Sequence, residues 1–468
     1  MSVNISRWSL LLLVSTSVFL SVFDIFIVNV AIPSIKIGIN GSDTDIQWII
    51  VLYVLGYASF LITGGRVGDY FGKKPVFIIG MAAFTLSSCL CGLSQDPTQL
   101  NIGRTLQGIS AAFMVPQGIA YIQVLFEDQK SRTKALGIYG SIAGAASVLG
   151  QFLGGMLPDI NSFIEGWRLI FLINLPIGIL AIYLSIKYLE NTAIVRTKKF
   201  DWLGAFFLII TLICFIYPMI QGRELGWPGW IFFIFALSFI TAIIFFWQQR
   251  TREQRGMSNI IDTRVFAYKR FNIGLCASVF YFMVQDTYFL INVVLLQTGF
   301  GISSLDTGLY FMFQGIGYVI ASLISIKLFP IYGKYVLVLG VLVMIISLVF
   351  HIFILDGVKM HTLKIGIVFF TYGLGCGSVL PSLLTVSLRS LPSMLSGMAS
   401  GTYSTFQQTA IALGISIVGG LFFHILEKPE IKKETYLIAY KMATIGNVLL
   451  LLIVILFLLL LPNKKISN

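Results

Sequence analysis

The chain has 468 residues, of which 57% are hydrophobic and only 11% charged; its mean hydropathy is +0.90 and its formal net charge +12. Soluble domains carry about 25% charged residues, so a soluble enzyme is excluded. The apolar runs are about 20 residues long, which suits helices crossing roughly 30 Å of hydrocarbon rather than the short alternating strands of a porin, and the chain reads as an all-α integral membrane protein.

In chain order, the apolar runs between charge clusters predict fourteen spans. The first seven lie at roughly 8–36, 46–67, 76–93, 99–126, 136–157, 168–188 and 201–221. The other seven lie at roughly 230–250, 271–298, 304–329, 335–355, 362–386, 396–424 and 439–461. The run after Arg7 continues through Asp24 to Pro33 with no small-residue cleavage pattern, so it is expected to be a retained span rather than a signal peptide. The longest connection, roughly 251–270, is too short for a folded domain, which leaves function to the helices.

Orientation follows from the basic residues. With the N-terminus cytoplasmic, 22 of the 32 Lys and Arg fall in inner segments and nine in outer ones, with Arg104 inside a span. This bias places both termini in the cytoplasm. The positive charge thereby follows from topology, and its spread over many short segments gives no nucleic-acid site. Cys89, Cys91, Cys214, Cys276 and Cys376 all lie in apolar spans. Cys89 and Cys91 point to different faces of a helix, so no metal clip is expected. His351, His361 and His424 are expected near span ends or in loops, away from any buried Ser, Cys or carboxylate.

Two halves are visible. Tyr70-Phe71-Gly72-Lys73-Lys74 follows the second span and Ile331-Tyr332-Gly333-Lys334-Tyr335 the tenth, so an aromatic-Gly-Lys turn recurs. Asp24 and Asp286 lie at similar depths in the first and ninth spans. The predicted organisation is a six-helix bundle over 1–200, two additional spans over 201–250, and a second six-helix bundle over 251–468. Internal repeats around a central site are a transporter device.

An ionisable residue near the middle of a span costs about 2.5–3.5 kcal/mol on insertion scales, so its default reading is functional. Asp24, Arg104 and Asp286 are such residues. Depth along their helices permits contact between Asp24 and Arg104; the bland alternative for all three is a fixed polar tie between helices. Asn29, Gln117, Gln123, Asn292, Gln297, Gln314, Gln407 and Gln408 are candidate cavity-lining amides, because hydrocarbon leaves an amide unsatisfied. Phe23, Phe26, Tyr53, Tyr281 and Tyr288 are candidates for an aromatic wall that accepts lipophilic cations, and Gln285 is a further cavity candidate.

Several motifs carry a resemblance. Gly64-Gly65-Arg66-Val67-Gly68-Asp69-Tyr70-Phe71-Gly72-Lys73-Lys74 resembles the signature loop of the major facilitator superfamily, matching it at Asp69, Gly72, Lys73 and Lys74, with Tyr70 where a basic residue is common. Arg104-Thr105-Leu106-Gln107-Gly108 resembles the family's R-x-x-Q-G element. The glycines at 140, 144, 150, 154 and 155 resemble its antiporter motif, although Gln151 stands where that motif has Pro. Asp24 through Pro33, Gln47-Trp48 with Tyr53, and Gly166-Trp167-Arg168 through Asn174-Leu175-Pro176 are similar to the 14-spanner drug:proton antiporter branch.

The resemblance implies a major-facilitator fold working by alternating access in the cell (inner) membrane, and a proton-coupled exporter of small amphipathic or cationic compounds. It implies a monomer with no cofactor and no enzymatic reaction, whose partners are protons, a small-molecule substrate and the bilayer. Asp24, Arg104 and Asp286 are the implied proton-coupling residues. Gly65, Asp69, Gly72, Lys73, Lys74, Gly150, Gln151, Gly154 and Gly155 form the implied conformational gate. The Gln151 departure keeps open export or symport of a single endogenous solute, and a non-transporting sensor on the same fold is the alternative of a different class.

Overall fold

The computed structural model describes residues 6–160, 164–191, 201–257, 259–355, 362–388, 391, 393–426 and 433–461. Among them, 14 helices are long and apolar enough to cross a membrane. Span limits agree with the sequence to within a few residues, except at the last, which begins at Lys433 rather than near 439. Lys433, Glu434 and Lys441 are carried on the first turns of that helix, and charge there masks a helical segment from a reading based on hydropathy.

Contacts within the chain divide it into two units. The first comprises Met1–Pro218 and Pro228–Ile260; the second comprises Met219–Trp227 and Ile261–Asn468.

The first unit contains α1 (Arg7–Gly38), α2 (Asp43–Phe71), α3 (Lys73–Leu93), α4 (Pro97–Leu125) and α5 (Gln129–Met156). Its sixth span is built of α6 (Gly166–Leu172) and α7 (Asn174–Tyr188). The additional pair, α8 (Trp202–Glu224) and α9 (Gly229–Gln254), is closed at its base by buried Asp201. That carboxylate accepts from Gly204 N, Gln248 Nε2 and Gln249 Nε2 and pairs with Arg252 at 3.3 Å. Gln249 Oε1 in turn accepts from Ile260 N at 2.6 Å. The connection after α9, too short for a folded domain, is partly buried structure that includes a 3-10 turn over Thr263–Ala267.

In the second unit, α10 (Lys269–Val293) runs into a π-helical turn over Val294–Gly299. It is followed by α11 (Ser304–Tyr332), α12 (Lys334–Leu355), α13 (Thr362–Leu388), α14 (Ser393–Gly414), α15 (Gly420–Leu426) and α16 (Lys433–Leu460).

The recurrence seen in sequence is structural. Helices α2 and α11 are both 29 residues long. Each opens on a serine cap, Ser42 or Ser303, whose hydroxyl accepts the amide of Asp45 or Asp306. Each ends at a glycine of positive φ, Gly72 at 95° and Gly333 at 56°, a backbone conformation costly for a side chain with a Cβ. Asp24 and Asp286 each lie 17 residues past the first residue of their helices, Arg7 and Lys269.

Glycine contacts set the tightest helix pairs. A Cβ on Gly108 of α4 would strike the Tyr53 carbonyl of α2, and one on Gly373 of α13 would strike the Gln314 carbonyl of α11. Tyr53 and Gln314 are each ten residues past the starts of their helices, so α2 with α4 repeats as α11 with α13. Overpacking costs about 1–3 kcal/mol even where side chains can yield, and here the obstacle is backbone. Gly108→Ala is accordingly expected to lower the unfolding temperature of the detergent-solubilised protein, whereas Gly137→Ala, with nothing within 4 Å of its added carbon, should not. Equal midpoints for the two variants would remove the close-contact explanation.

Candidate functional site

Two close contacts bring the first-unit charges together. Gly150 and Gly154 let α5 lie against the backbone of α1 at Phe23 and Ile27, on either side of Asp24 in sequence. Gly108 lets α4 lie against α2 at Tyr53, one turn from Arg104. Asp24 is 0% and Arg104 1% exposed, and Arg104 Nη1 meets Asp24 Oδ2 at 2.5 Å. The expected contact is present.

A buried pair recovers its desolvation cost only when hydrogen bonds satisfy its remaining atoms. Here they do. Asp24 Oδ1 accepts from Gln107 Nε2 at 2.7 Å and from Asn174 Nδ2 at 3.1 Å. Arg104 also donates to Gln107 Oε1 at 2.8 Å and, through Nε, to the Ile49 carbonyl at 3.0 Å. Its guanidinium lies 4.4 Å from the centre of the Tyr53 ring, a cation–π distance. Asn174 donates further to Ser88 Oγ, which donates to the Phe171 carbonyl. Tyr53 OH and Ser21 Oγ are 2.9 Å apart. One carboxylate is thus held by α1, α2, α3, α4 and α7 together.

The network includes Gln107, Asn174 and Ser88, to which sequence reading gives no role. Gln107 and Asn174 did stand inside recognised motifs, which was the available signal. Ser88 had none.

The other sequence candidates in this unit are distributed. Phe23 is buried and stacks on Phe19 at 5.5 Å. Asn29 is buried with its Nδ2 unpaired. Gln117 donates to the Gly64 carbonyl at 2.8 Å and so ties α4 to α2. Phe26 is half-buried and Gln123 exposed. Lys74 Nζ donates to the Ile186 carbonyl; Gly65 and Lys73 are half-buried, and Gly155 is buried. Gln151 is buried with an unpaired Oε1. The Asp69 side chain lies outside the described residues.

The second unit has no copy of this charge network at the corresponding place. Four residues before Gly108 stands Arg104 and one before it Gln107; four before Gly373 stands Phe369 and one before it Tyr372. Tyr288 of α10 stacks on Tyr372 with ring centres 3.7 Å apart and planes 11° apart. His351 lies near the end of α12 as expected, but it is fully buried in this cluster and, contrary to expectation, stands beside the buried Ser347. Hydropathy could not show this, because a histidine near a helix end reads the same whether it faces water or aromatic rings. Its Nδ1 is 2.8 Å from the Ser347 carbonyl, which can only accept, so Nδ1 carries the hydrogen. Nε2 of the neutral ring then accepts from Tyr288 OH at 3.1 Å. His424 is exposed at the end of α15, and His361 lies outside the described residues.

Asn292 donates to the Tyr288 carbonyl and accepts from Tyr440 OH. Asp286 and Gln285 are buried on α10, and the Cys376 thiol is 3.5 Å from Gln285 Oε1. Gln297 and Gln407 are half-buried. Tyr281 OH, Tyr372 OH, Gln314 Oε1 and Gln408 Oε1 are buried without hydrogen-bond partners. An unmet buried polar group costs about 1–3 kcal/mol, so retaining several invites a functional explanation. Among the described residues no three His, Cys, Asp or Glu side chains group as a metal site.

A family model described as Major Facilitator Superfamily matches residues 14–261 and 201–415. The chain is 33% identical over 429 residues to the probable actinorhodin transporter of Streptomyces coelicolor, covering 90% of this chain and 73% of that one. It is 26% identical over 414 residues to the methylenomycin A resistance protein of Bacillus subtilis, covering 88% and 86%. Among solved structures, a bacterial homologue of the human lysosomal transporter Spinster, inward-facing and occupied, superposes with a TM-score of 0.68 at 15% identity over 97% of this chain and 96% of that one. The xylose transporter XylE from E. coli gives 0.65 at 13% identity over 99% of both chains.

Proposed function

The chain belongs to the Major Facilitator Superfamily, and on that premise we propose that it is a drug-efflux transporter that drives export by moving protons inward. The observation that carries the proposal is the buried Asp24 carboxylate, met by Arg104, Gln107 and Asn174. Relatives named for resistance to, or export of, antibiotics support the efflux part.

The chemistry of coupling follows from competition for one carboxylate. Asp24 is balanced either by the Arg104 guanidinium or by a proton. When a proton binds, the attraction to Arg104 is lost, and Arg104 retains the Ile49 carbonyl, Gln107 Oε1 and the Tyr53 face as partners. Releasing the proton restores the ion pair and draws α4 back to α1. A helix contact that responds to protonation is a two-state element of the kind alternating access needs. Asp286, at the equivalent register of α10, is proposed as a second coupling carboxylate. The glycine-faced contacts of α5 and the turn at Gly72 are proposed as the parts that shift.

The experiment that tests this is efflux of a substrate panel with and without an uncoupler, repeated as accumulation in inverted vesicles. Uncoupler-sensitive accumulation supports proton-driven export; accumulation that ignores the uncoupler removes the coupling. From the charge asymmetry we further propose that both termini are cytoplasmic and that the protein lies in the inner membrane. Reporter fusions at Ser258 and Lys465, both outside the described residues, are expected to report the cytoplasm, and an external signal from either would break the topology.

A further inference from the structure

We infer that the second unit holds a recognition subsite for a planar aromatic carbonyl group of the exported compound, with Tyr281 and Tyr372 as hydrogen-bond donors and the Tyr288 ring as a wall. The inference rests on the efflux reading and names a substrate class within it.

Helical spacing sets up the site. Tyr281, Gln285 and Tyr288 fall four and three residues apart on α10, and Tyr372 and Cys376 four apart on α13, so each set lies on one helix face. The two faces meet: Tyr288 stacks on Tyr372, and the Cys376 thiol is flanked by Tyr281, Gln285 and Tyr372.

The hydroxyls are not equivalent. That of Tyr288 is taken by His351, whose Nδ1–H is itself fixed on the Ser347 carbonyl. His351 is therefore a positioning residue that holds the Tyr288 ring, one face of which is stacked on Tyr372. Tyr281 and Tyr372 are fully buried, and their hydroxyls have only the Cys376 thiol beside them, with no oxygen or nitrogen partner. A phenol O–H next to a thiol lacks a good acceptor, and a carbonyl oxygen supplies one. Gln314 Oε1, also unpartnered, can accept from a hydroxyl or amine.

Two donors that lack an oxygen or nitrogen acceptor, beside a stacked ring pair, suit a flat compound bearing a carbonyl group. They do not describe a lipophilic cation without hydrogen-bonding groups. Position strengthens the point, since Phe369 and Tyr372 occupy the places that Arg104 and Gln107 hold in the first unit. There Arg104 and Gln107 bond Asp24 and each other; here a stacked aromatic pair stands beside two hydroxyls that meet no oxygen or nitrogen acceptor.

The test is binding to the purified full chain, with dihydroxyanthraquinone and tetraphenylphosphonium as probes. Tyr281→Phe and Tyr372→Phe are each expected to weaken the anthraquinone about tenfold, the usual scale for one hydrogen bond to a neutral group, and to change the cation by less than about twofold. Because each removes a buried hydroxyl that meets no oxygen or nitrogen acceptor, neither should lower the thermal midpoint, which separates a recognition role from a structural one. Unchanged anthraquinone binding, or equal loss for both probes, overturns the inference. So does a wild-type protein that binds only the cation and loses it in Asp286→Asn, although efflux of the cation would then leave the transporter reading intact. Anthraquinone binding without uncoupler-sensitive transport would instead sink the efflux reading and leave the subsite standing.

Discussion

Asp24→Asn is expected to abolish proton-coupled efflux while the protein still reaches the membrane. The amide keeps the size of the carboxylate, and its oxygen can still accept from Gln107 and Asn174 at the Oδ1 position. At the Oδ2 position its NH2 faces Arg104 Nη1, so the ion pair is replaced by two opposed donors. That is close to what a protonated Asp24 presents, a state the proposed cycle must visit, so the fold should tolerate it. The variant cannot leave that state, because an amide has no proton to give up. Uncoupler-sensitive efflux at the wild-type rate would remove Asp24 from the mechanism.

The second large effect is expected at Arg104. Removing one partner of a buried pair is worth about 3–5 kcal/mol, since it strands the other charge in low dielectric. Arg104→Gln should therefore lower thermal stability more than Asp24→Asn, for the carboxylate left behind keeps only its two neutral donors, Gln107 and Asn174. Combining the two substitutions should recover much of the lost stability, because no charge is then stranded, and should recover no transport. Residues in one network show coupling on the order of 0.5–3 kcal/mol in a double-mutant cycle. Stability losses that simply add would mean that Asp24 and Arg104 are energetically independent, contrary to their contact.

How far the candidate site could be read beforehand varied from residue to residue. Asp24 and Arg104 announced themselves because a charge in the middle of a span is costly wherever it points. Asn174 gave no such warning, since an amide near a span end is ordinary, and its bond to Asp24 joins residues 150 apart in the chain. Gln117 looked like a cavity residue for the same reason that it serves as a tie to Gly64: an intramembrane amide must find a partner, and its type does not say which. His351 stands near its span end as the sequence suggests, and helix rotation, which hydropathy does not give, decided its burial beside Ser347 and the aromatic rings.

The sequence by itself determined the number of spans, their approximate limits and the repeat. Each is a property of consecutive residues: about 20 apolar side chains are needed to cross the hydrocarbon, and an aromatic-Gly-Lys turn recurs after the second and tenth spans. Tertiary structure decided which polar groups meet. The first unit gathers Asp24, Arg104, Gln107, Asn174 and Ser88 into one network, while at the equivalent register the second stacks Tyr288 on Tyr372. That difference depends on how each helix is rotated and how closely glycines let it approach its neighbour. Hydropathy constrains the length of a helix in a membrane and leaves its rotation to packing.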